Sequence, residues 1–544
     1  MKNVRILDCT LRDGGRIIDC AFQNQEIKSI SERLEKAKID IVEVGFLRDH
    51  RNIEYNGNST FFTDVDQMRP YVCHGNNNTM FAAFIDFGMC DIDSLKPYDG
   101  TSVDALRFGF TKKNYTESKE EVIRWMKIIK ERGYKLFVQG VNSLNYSDIE
   151  LLEIVKMVNE IKPYSFGIVD TYGAMYMDDV DRIYGLINHN MDQDICINFH
   201  SHNNYQLSFA FALEIIKLNS SGYRQIIIDG TLSGIGKVAG NLNTELIVEF
   251  LVRKKKYNYD VDMIFDIIDE FIHKYSLTHS WGYSIPALMS GIYKAHPNNV
   301  IYLTEKYRLD TKDIGKILSM IDPEKRQTYD YGNIQRLYME YNHTKVDDSA
   351  DLIRLHELLD GRNVLVVMPG YSIIKYKDLI KKYVIDNECI VISENFISDF
   401  ADEANRIAFF GSQKRYKNTN NLNYEKNLVI VSNVEKETGE EIVVNYDSLI
   451  QRDYEDFDNT TLMLLNLLSK LGIKHFAIAG FDGYKCNETN YFNDEQFDER
   501  RFAGKYEEIT LNTRNMLNDY AMRLDRKTDV KFLTPSVYQD IFEQ

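Results

Sequence analysis

From residue 4 to residue 256 the chain alternates between short apolar runs and amphipathic stretches, and the alternation repeats eight times. Strand-like runs fall at Val4–Thr10, Ile39–Leu47, Thr79–Phe87, Ala105–Phe110, Lys135–Asn142, Ser165–Thr171, Asp194–His202 and Gln225–Leu232. Helical patterns follow at Gln25–Ala37, Ser118–Arg132, Ser147–Ile161, Met177–Met191, Gln206–Leu218 and Asn241–Lys256. After the second and third runs the helical signal is weaker, near Asp64–Met68 and Asp91–Lys96. Ser118 followed by Glu121 fits a capping box opening its helix. Eight strand-then-helix units over this length predict an α/β fold built as a (β/α)8 barrel. An open doubly wound sheet is the alternative; the count and the length favour the barrel. In such a barrel the site lies at the C-terminal ends of the strands, so the residues there are the ones to read.

After Lys256 the strand signal stops. Val261–Tyr275, Ile285–His296, Lys312–Ile321 and Asn333–Tyr341 read as helices, too continuous for a linker. A second α/β pattern starts near Ala350 with a helix at Leu352–Leu359. Strands follow at Asn363–Met368, Glu388–Ser393, Arg406–Phe410, Asn427–Ser432, Glu441–Asn445, Lys474–Ala479 and Val530–Leu533, with helices at Ile374–Tyr383 and Thr460–Leu471. The expected organisation is a catalytic barrel over 1–256, a helical extension or lid over 257–345, and a Rossmann-like domain over 346–544.

Composition narrows the partners. Lys plus Arg is 65 against 82 Asp plus Glu, a net charge of −17, which argues against nucleic-acid binding through overall positive charge. The seven cysteines form no CxxC pair and are odd in number, so reduced thiols in a cytoplasm are expected rather than a disulfide framework or zinc ribbon. Neither a signal peptide nor an apolar run long enough to span a bilayer is visible, so no membrane partner is expected.

Three constellations stand at expected strand ends. Asp8-Cys9-Thr10-Leu11-Arg12-Asp13-Gly14-Gly15 places an Arg–Asp pair where burial is costly unless the charges are used or paired. His200-Ser201-His202 puts two imidazoles two residues apart, hence on one face of a strand. If that face is the barrel mouth, both reach one ion, and Asp13 completes a two-His, one-carboxylate set with positions open for water and substrate. Such N/O ligation suits a divalent cation: Mn²⁺ first, with Mg²⁺, Co²⁺ or Zn²⁺ as alternatives. The third runs from Asp229 to Glu245. Its glycines either aim backbone amides at an anion or make a tight turn with Asn241 as helix cap. Glu43, Arg107 and Asp170 are further charged residues inside near-apolar runs.

Taken together, Thr10-Leu11-Arg12-Asp13-Gly14, His200-Ser201-His202-Asn203 and Gly240-Asn241-Leu242-Asn243-Thr244-Glu245 resemble the pyruvate-carboxyltransferase-type, HMG-CoA lyase-like barrel family. That family holds 4-hydroxy-2-oxovalerate aldolase, hydroxymethylglutaryl-CoA lyase, and isopropylmalate and homocitrate synthases. The resemblance implies a divalent metal on Asp13, His200 and His202, with Asn241 as a further ligand and Arg12 stabilising an enolate oxygen. Glu43, Asp170 and Glu245 match acidic positions of the lyase branch. The chain departs from each characterised branch. Gly15 and Arg16 stand where the condensing enzymes carry Glu-Gln, Arg16 stands where the aldolase has its histidine base, and Ser233–Ala239 lacks the lyase cysteine. It most resembles aldolase-like proteins with TLRDGG and a downstream Trp281-Gly282-Tyr283-Ser284 segment, often encoded among polysaccharide-biosynthesis genes.

The expected activity is therefore metal-dependent carbon–carbon cleavage of a small-molecule 2-oxo acid, such as a 4-hydroxy-2-oxo acid, in a homo-oligomer. With Arg16 at the usual base position, Tyr283, His296 and a metal-bound water are the candidates for the base, with packing of the helical lid as the alternative role of the two side chains. The alternatives are a Claisen-type acyl-CoA condensation, or a barrel kept as a binding module with the activity in the C-terminal domain. There, Pro369-Gly370-Tyr371-Ser372 and Gly480-Phe481-Asp482-Gly483 follow two strands, where an open α/β sheet binds ligands. A nucleotide or nucleotide-linked sugar is one reading; a structural or dimerising domain is the other. Neither GxGxxG nor a P-loop is present.

Overall fold

The computed structural model describes residues 3–543 apart from 52, 74, 76–77, 221, 307–308, 345, 455, 487, 494–504 and 526. It divides into two compact units, Met1–Tyr331 and Gly332–Gln544. The helix Tyr331–Asn342 starts at the break.

In the first unit eight parallel strands pair in chain order: β1 Val4–Asp8, β2 Ile41–Leu47, β3 Met80–Asp86, β4 Ala105–Phe110, β5 Lys135–Gly140, β6 Ser165–Asp170, β7 Cys196–Ser201 and β8 Ile226–Gly230. β1 pairs with β8 from Val4↔Ile226 to Asp8↔Gly230 and with β2 at Leu7↔Ile41, so the sheet closes on itself. The eight expected strands are these eight. Their outward side chains pack on the helices; for example Ile197 and Phe199 of β7 join Ile27, Ile30 and Leu34 in one apolar cluster. Inside the barrel, Leu7, Ile41, Ala82, Ala105, Phe137 and Ile227 form a separate apolar layer. The two-residue strand Phe61–Phe62 pairs with the end of β2.

Local capping differs from expectation in two places. The segments after β2 and β3 form only 3₁₀ turns, Val65–Tyr71 and Ile92–Ser94, the first containing Pro70. Proline removes a backbone donor and opposes a longer helix. Ser118 makes no side-chain cap, because it lies between two helices, Lys112–Glu117 and Lys119–Glu131. Glu121 instead accepts from the Trp125 indole (3.0 Å) and from Arg124 (2.8 Å). The reciprocal box forms at Ser147 and Glu150.

The segment after Lys256 lies over the C-terminal face of the barrel. The Trp281 indole donates to the Ser233 carbonyl (2.8 Å) and the Gly282 N–H to Val238 (3.0 Å), both after β8. Asn204 after β7 donates to the Ala287 carbonyl (2.8 Å), and Tyr172 after β6 to that of Gln327 (3.2 Å). The expected helix Ile285–His296 ends at Tyr293, where Lys294 turns left-handed. His296 then caps a further helix, Pro297–Glu305.

The second unit holds seven parallel strands: β9 Val364–Val367, β10 Ile390–Glu394, β11 Arg406–Phe410, β12 Leu428–Val431, β13 Ile442–Val444, β14 His475–Ala479 and β15 Asp529–Phe532. Their order is β13-β12-β11-β10-β9-β14-β15, an open parallel sheet whose strand order reverses between β9 and β14. Among the described residues no helix is long and apolar enough to cross a membrane.

Candidate metal centre

Three hydrogen bonds to one carbonyl start the site. After β1 the chain turns sharply, with the N–H groups of Arg12, Asp13 and Gly14 all directed at the Cys9 carbonyl (3.1, 2.9 and 3.2 Å). The turn buries Asp13 in the barrel mouth beside His200 and His202. One ligand atom from each of these three residues lies within 4.8 Å of the others. The Asp13 Oδ2 atom is 3.9 Å from His200 Nε2 and 3.7 Å from His202 Nε2.

Protonation suits a cation. Burial opposes it, but Arg12 and the two histidines hold the Asp13 carboxyl well below the usual carboxylate range. Burial brings His202 down to about 4, which leaves a neutral imidazole with a lone pair at pH 7. His200 Nδ1 lies 3.2 Å from Asp229 Oδ2. Against its burial, Asp229 is kept ionised by Arg107, so Nδ1 carries the proton and Nε2 is left free to ligate.

Asn241 enters by a backbone device. Gly240 has φ +68°, and a Cβ there would lie 2.0 Å from the Gly234 carbonyl oxygen, so only glycine permits the turn. It brings Asn241 alongside His202 as an isolated bridge. The Asn241 amide nitrogen donates to the Ile235 carbonyl (3.1 Å), while its Oδ1 is buried without a hydrogen-bond partner. Asn241 does not cap the helix, which opens at Thr244. An orphaned carbonyl-type oxygen beside one carboxylate and two imidazoles fits a divalent cation with N/O ligation.

Residues 3–270 match the HMGL-like family profile. The barrel belongs to the HMGL-like family. The chain is 28% identical over 332 residues to the 4-hydroxy-2-oxovalerate aldolase of Carboxydothermus hydrogenoformans, across 58% of this chain and 90% of that protein. It is 24% identical over 262 residues to the oxaloacetate decarboxylase of Mycobacterium tuberculosis, across 48% of this chain and 74% of that one. The solved HMG-CoA lyase from Brucella melitensis superposes with a TM-score of 0.41 at 12% identity, covering 51% of this chain and 99% of that chain.

Beneath Asp13, His200 and His202 this HMGL-like barrel carries a buried polar layer. Arg12 donates from Nε to Glu43 (2.7 Å) and from Nη1 to Asp13 (2.5 Å). Arg107 reaches Glu43 (2.9 Å), Asn198 (3.0 Å) and Asp229. Gln139 donates to Asn198 (2.7 Å). Gly167 makes room for it, since a Cβ there would lie 2.1 Å from Gln139 Oε1. Asn198 and Gln139 were not singled out from the sequence. Asn198 had a signal, because it shares the two-residue alternation of His200 and His202.

The remaining predicted residues take other places. Asp170 ends β6 and accepts the N–H groups of Ala174 (2.8 Å) and Met175 (3.3 Å); burial pushes it up to about 7. Glu245 is half-buried and accepts from the Ser233 N–H and from Asn243 (both 2.9 Å). Tyr283 is 59% exposed, next to the Gly282 that is tied to Val238. His296 is half-buried, and its Nδ1 accepts the Asn298 N–H (3.1 Å). Burial, with Lys237 and Arg16 nearby, holds it down to about 4.

Proposed function

We propose that this protein is a divalent-metal-dependent lyase that cleaves a carbon–carbon bond of a 2-oxo acid, with 4-hydroxy-2-oxo acids as the substrate class. The observation that carries the reading is the Asp13, His200 and His202 cluster, with Arg12 hydrogen-bonded to its carboxylate. Asp13, His200, His202 and Asn241 would hold the ion. When bound, it supplies a Lewis acid for the 2-oxo oxygen.

The chain's own groups divide the remaining work. Glu43 and Asp13 occupy Nε and Nη1 of Arg12, which aims the other end of the guanidinium at the reacting oxygen. There it meets negative charge that grows as the bond breaks. Asp229 orients His200, and Arg107 holds Asp229 ionised. A base must remove the proton from the 4-hydroxyl. His296 is unsuited, because the Asn298 N–H occupies Nδ1 and leaves the proton on Nε2. Tyr283, exposed and carried on the segment tied to Val238, is our assignment, its phenol passing its own proton to solvent as it takes the one from the 4-hydroxyl.

The test is pyruvate release by the Mn²⁺-supplemented protein from a panel of 4-hydroxy-2-oxo acids. Asp13→Ala or His200→Ala should lose bound metal and turnover together. Full metal-dependent activity in either variant would sink the assignment. Release of thiol from acetyl-CoA with a 2-oxo acid would instead establish a condensing enzyme.

A further inference from the structure

We infer that the barrel mouth holds a second anion subsite, formed by Arg16 and Arg48 against the ring of Phe46, which takes a carboxylate or phosphate at the far end of the 2-oxo acid. This rests on the function proposed above and extends it to a dianionic substrate. Three guanidinium groups converge on that ring: the Cζ atoms of Arg48, Arg16 and Arg12 lie 4.3, 4.9 and 5.8 Å from its centroid. Arg12 is committed to Glu43 and Asp13. The other two are not matched in the same way. Arg16 Nε lies 3.5 Å from Asp13 Oδ1 but makes no hydrogen bond, and its side chain is 42% exposed. Arg48 Nη1 is 2.7 Å from Asp86 without hydrogen-bond geometry, and is buried. Buried guanidinium N–H groups without a hydrogen bond are costly even where the charge is paired, as for Arg48 beside Asp86, and an arriving anion satisfies them.

Charge balance points the same way. Around the metal ligands, the buried Asp13, Glu43 and Asp229 face the buried Arg12 and Arg107, one negative charge in excess. A divalent cation reverses that sign, and the substrate's 2-oxo carboxylate offsets what remains. Arg16 is then surplus, as is Lys237, which faces His296 together with it. A neutral substrate tail would leave this positive field uncompensated. Arg48 is also held in place, since its backbone N–H donates to the Phe62 carbonyl (2.7 Å) and its guanidinium lies 5.7 Å from the Phe61 ring. A pre-set cation loses little freedom on binding.

The experiment is titration calorimetry of the Mn²⁺-loaded full chain with matched ligands. Pyruvate is set against 2-oxoglutarate for a carboxylate, and 2-dehydro-3-deoxygluconate against its 6-phosphate for a phosphate. In at least one pair, the ligand with the second anion should bind about 10- to 100-fold tighter than its partner. The pair with the larger gain identifies the anion. R16Q should remove most of that preference and leave the singly charged ligand within about threefold of wild type. R16K should keep most of it, and R48Q should repeat the R16Q result. Equal binding within both pairs overturns the subsite and leaves the 2-oxo acid reading standing. An equal loss for both ligands in R16Q also overturns it, by showing a structural role. Bound Mn²⁺ with no binding of any of the four ligands overturns the 2-oxo acid reading as well.

Discussion

Asp229 in the barrel and Glu394 in the C-terminal sheet are both buried acids on parallel strands, 2% and 6% exposed. Asp229 lies against Arg107, Asn198 and His200, and Arg107 overcomes its burial to hold it below the usual carboxylate range. Glu394 accepts the Thr461 hydroxyl (2.8 Å), and burial pushes it up to about 7. Burial alone therefore does not decide whether an acid stays charged. A guanidinium partner preserves the charge; a hydroxyl partner does not. The barrel keeps fixed charge beside the Asp13, His200 and His202 cluster, which suits the anionic substrate proposed above. The open sheet keeps a protonatable acid at a strand end.

The largest effect should come from removing the barrel's buried cation. Arg107→Met leaves Glu43 and Asp229 without their shared partner and should cost about 3–5 kcal/mol of stability, read from urea unfolding. A loss below about 1 kcal/mol would mean the pairing is not what keeps Asp229 ionised. Next is Asp229→Asn, which keeps the shape but removes the anion that orients His200. Mn²⁺ affinity should fall about 10- to 100-fold by calorimetry. Unchanged affinity would show that His200 is oriented by packing alone.

The smallest effect belongs to the sheet. Glu394 has a folded-state pKa raised to about 7, above an unfolded value of about 4.3. Its contribution is fully present below about pH 4.3 and is lost as pH rises through about 7, because the unfolded chain gives up the proton first. Glu394→Gln removes that dependence, so the variant should gain on wild type between pH 5 and pH 8 in urea midpoints. Parallel curves would show that Glu394 titrates normally, and the contrast with Asp229 would fail.

The strands were legible because parallel strands covered on both faces must be apolar runs, and those runs were read at all eight barrel positions. His200 and His202 were legible because a strand alternates its faces every two residues. The helix starting at Ser118 was misread at its cap, since a second helix ends directly before it. Nothing local showed that Lys294 would end one helix and leave His296 to cap the next.

By itself the sequence determined the alternation, the place of Arg12 and Asp13 at the end of the first strand, and the shared face of the two histidines. These are properties of neighbours along the chain. Only the tertiary structure decided that β1 meets β8, that Arg107 bridges Glu43 and Asp229, and that Arg16 and Arg48 meet over Phe46. Those contacts join residues from different strands and loops. Their energies depend on closure of the barrel, which removes water and makes each pairing, or its absence, count.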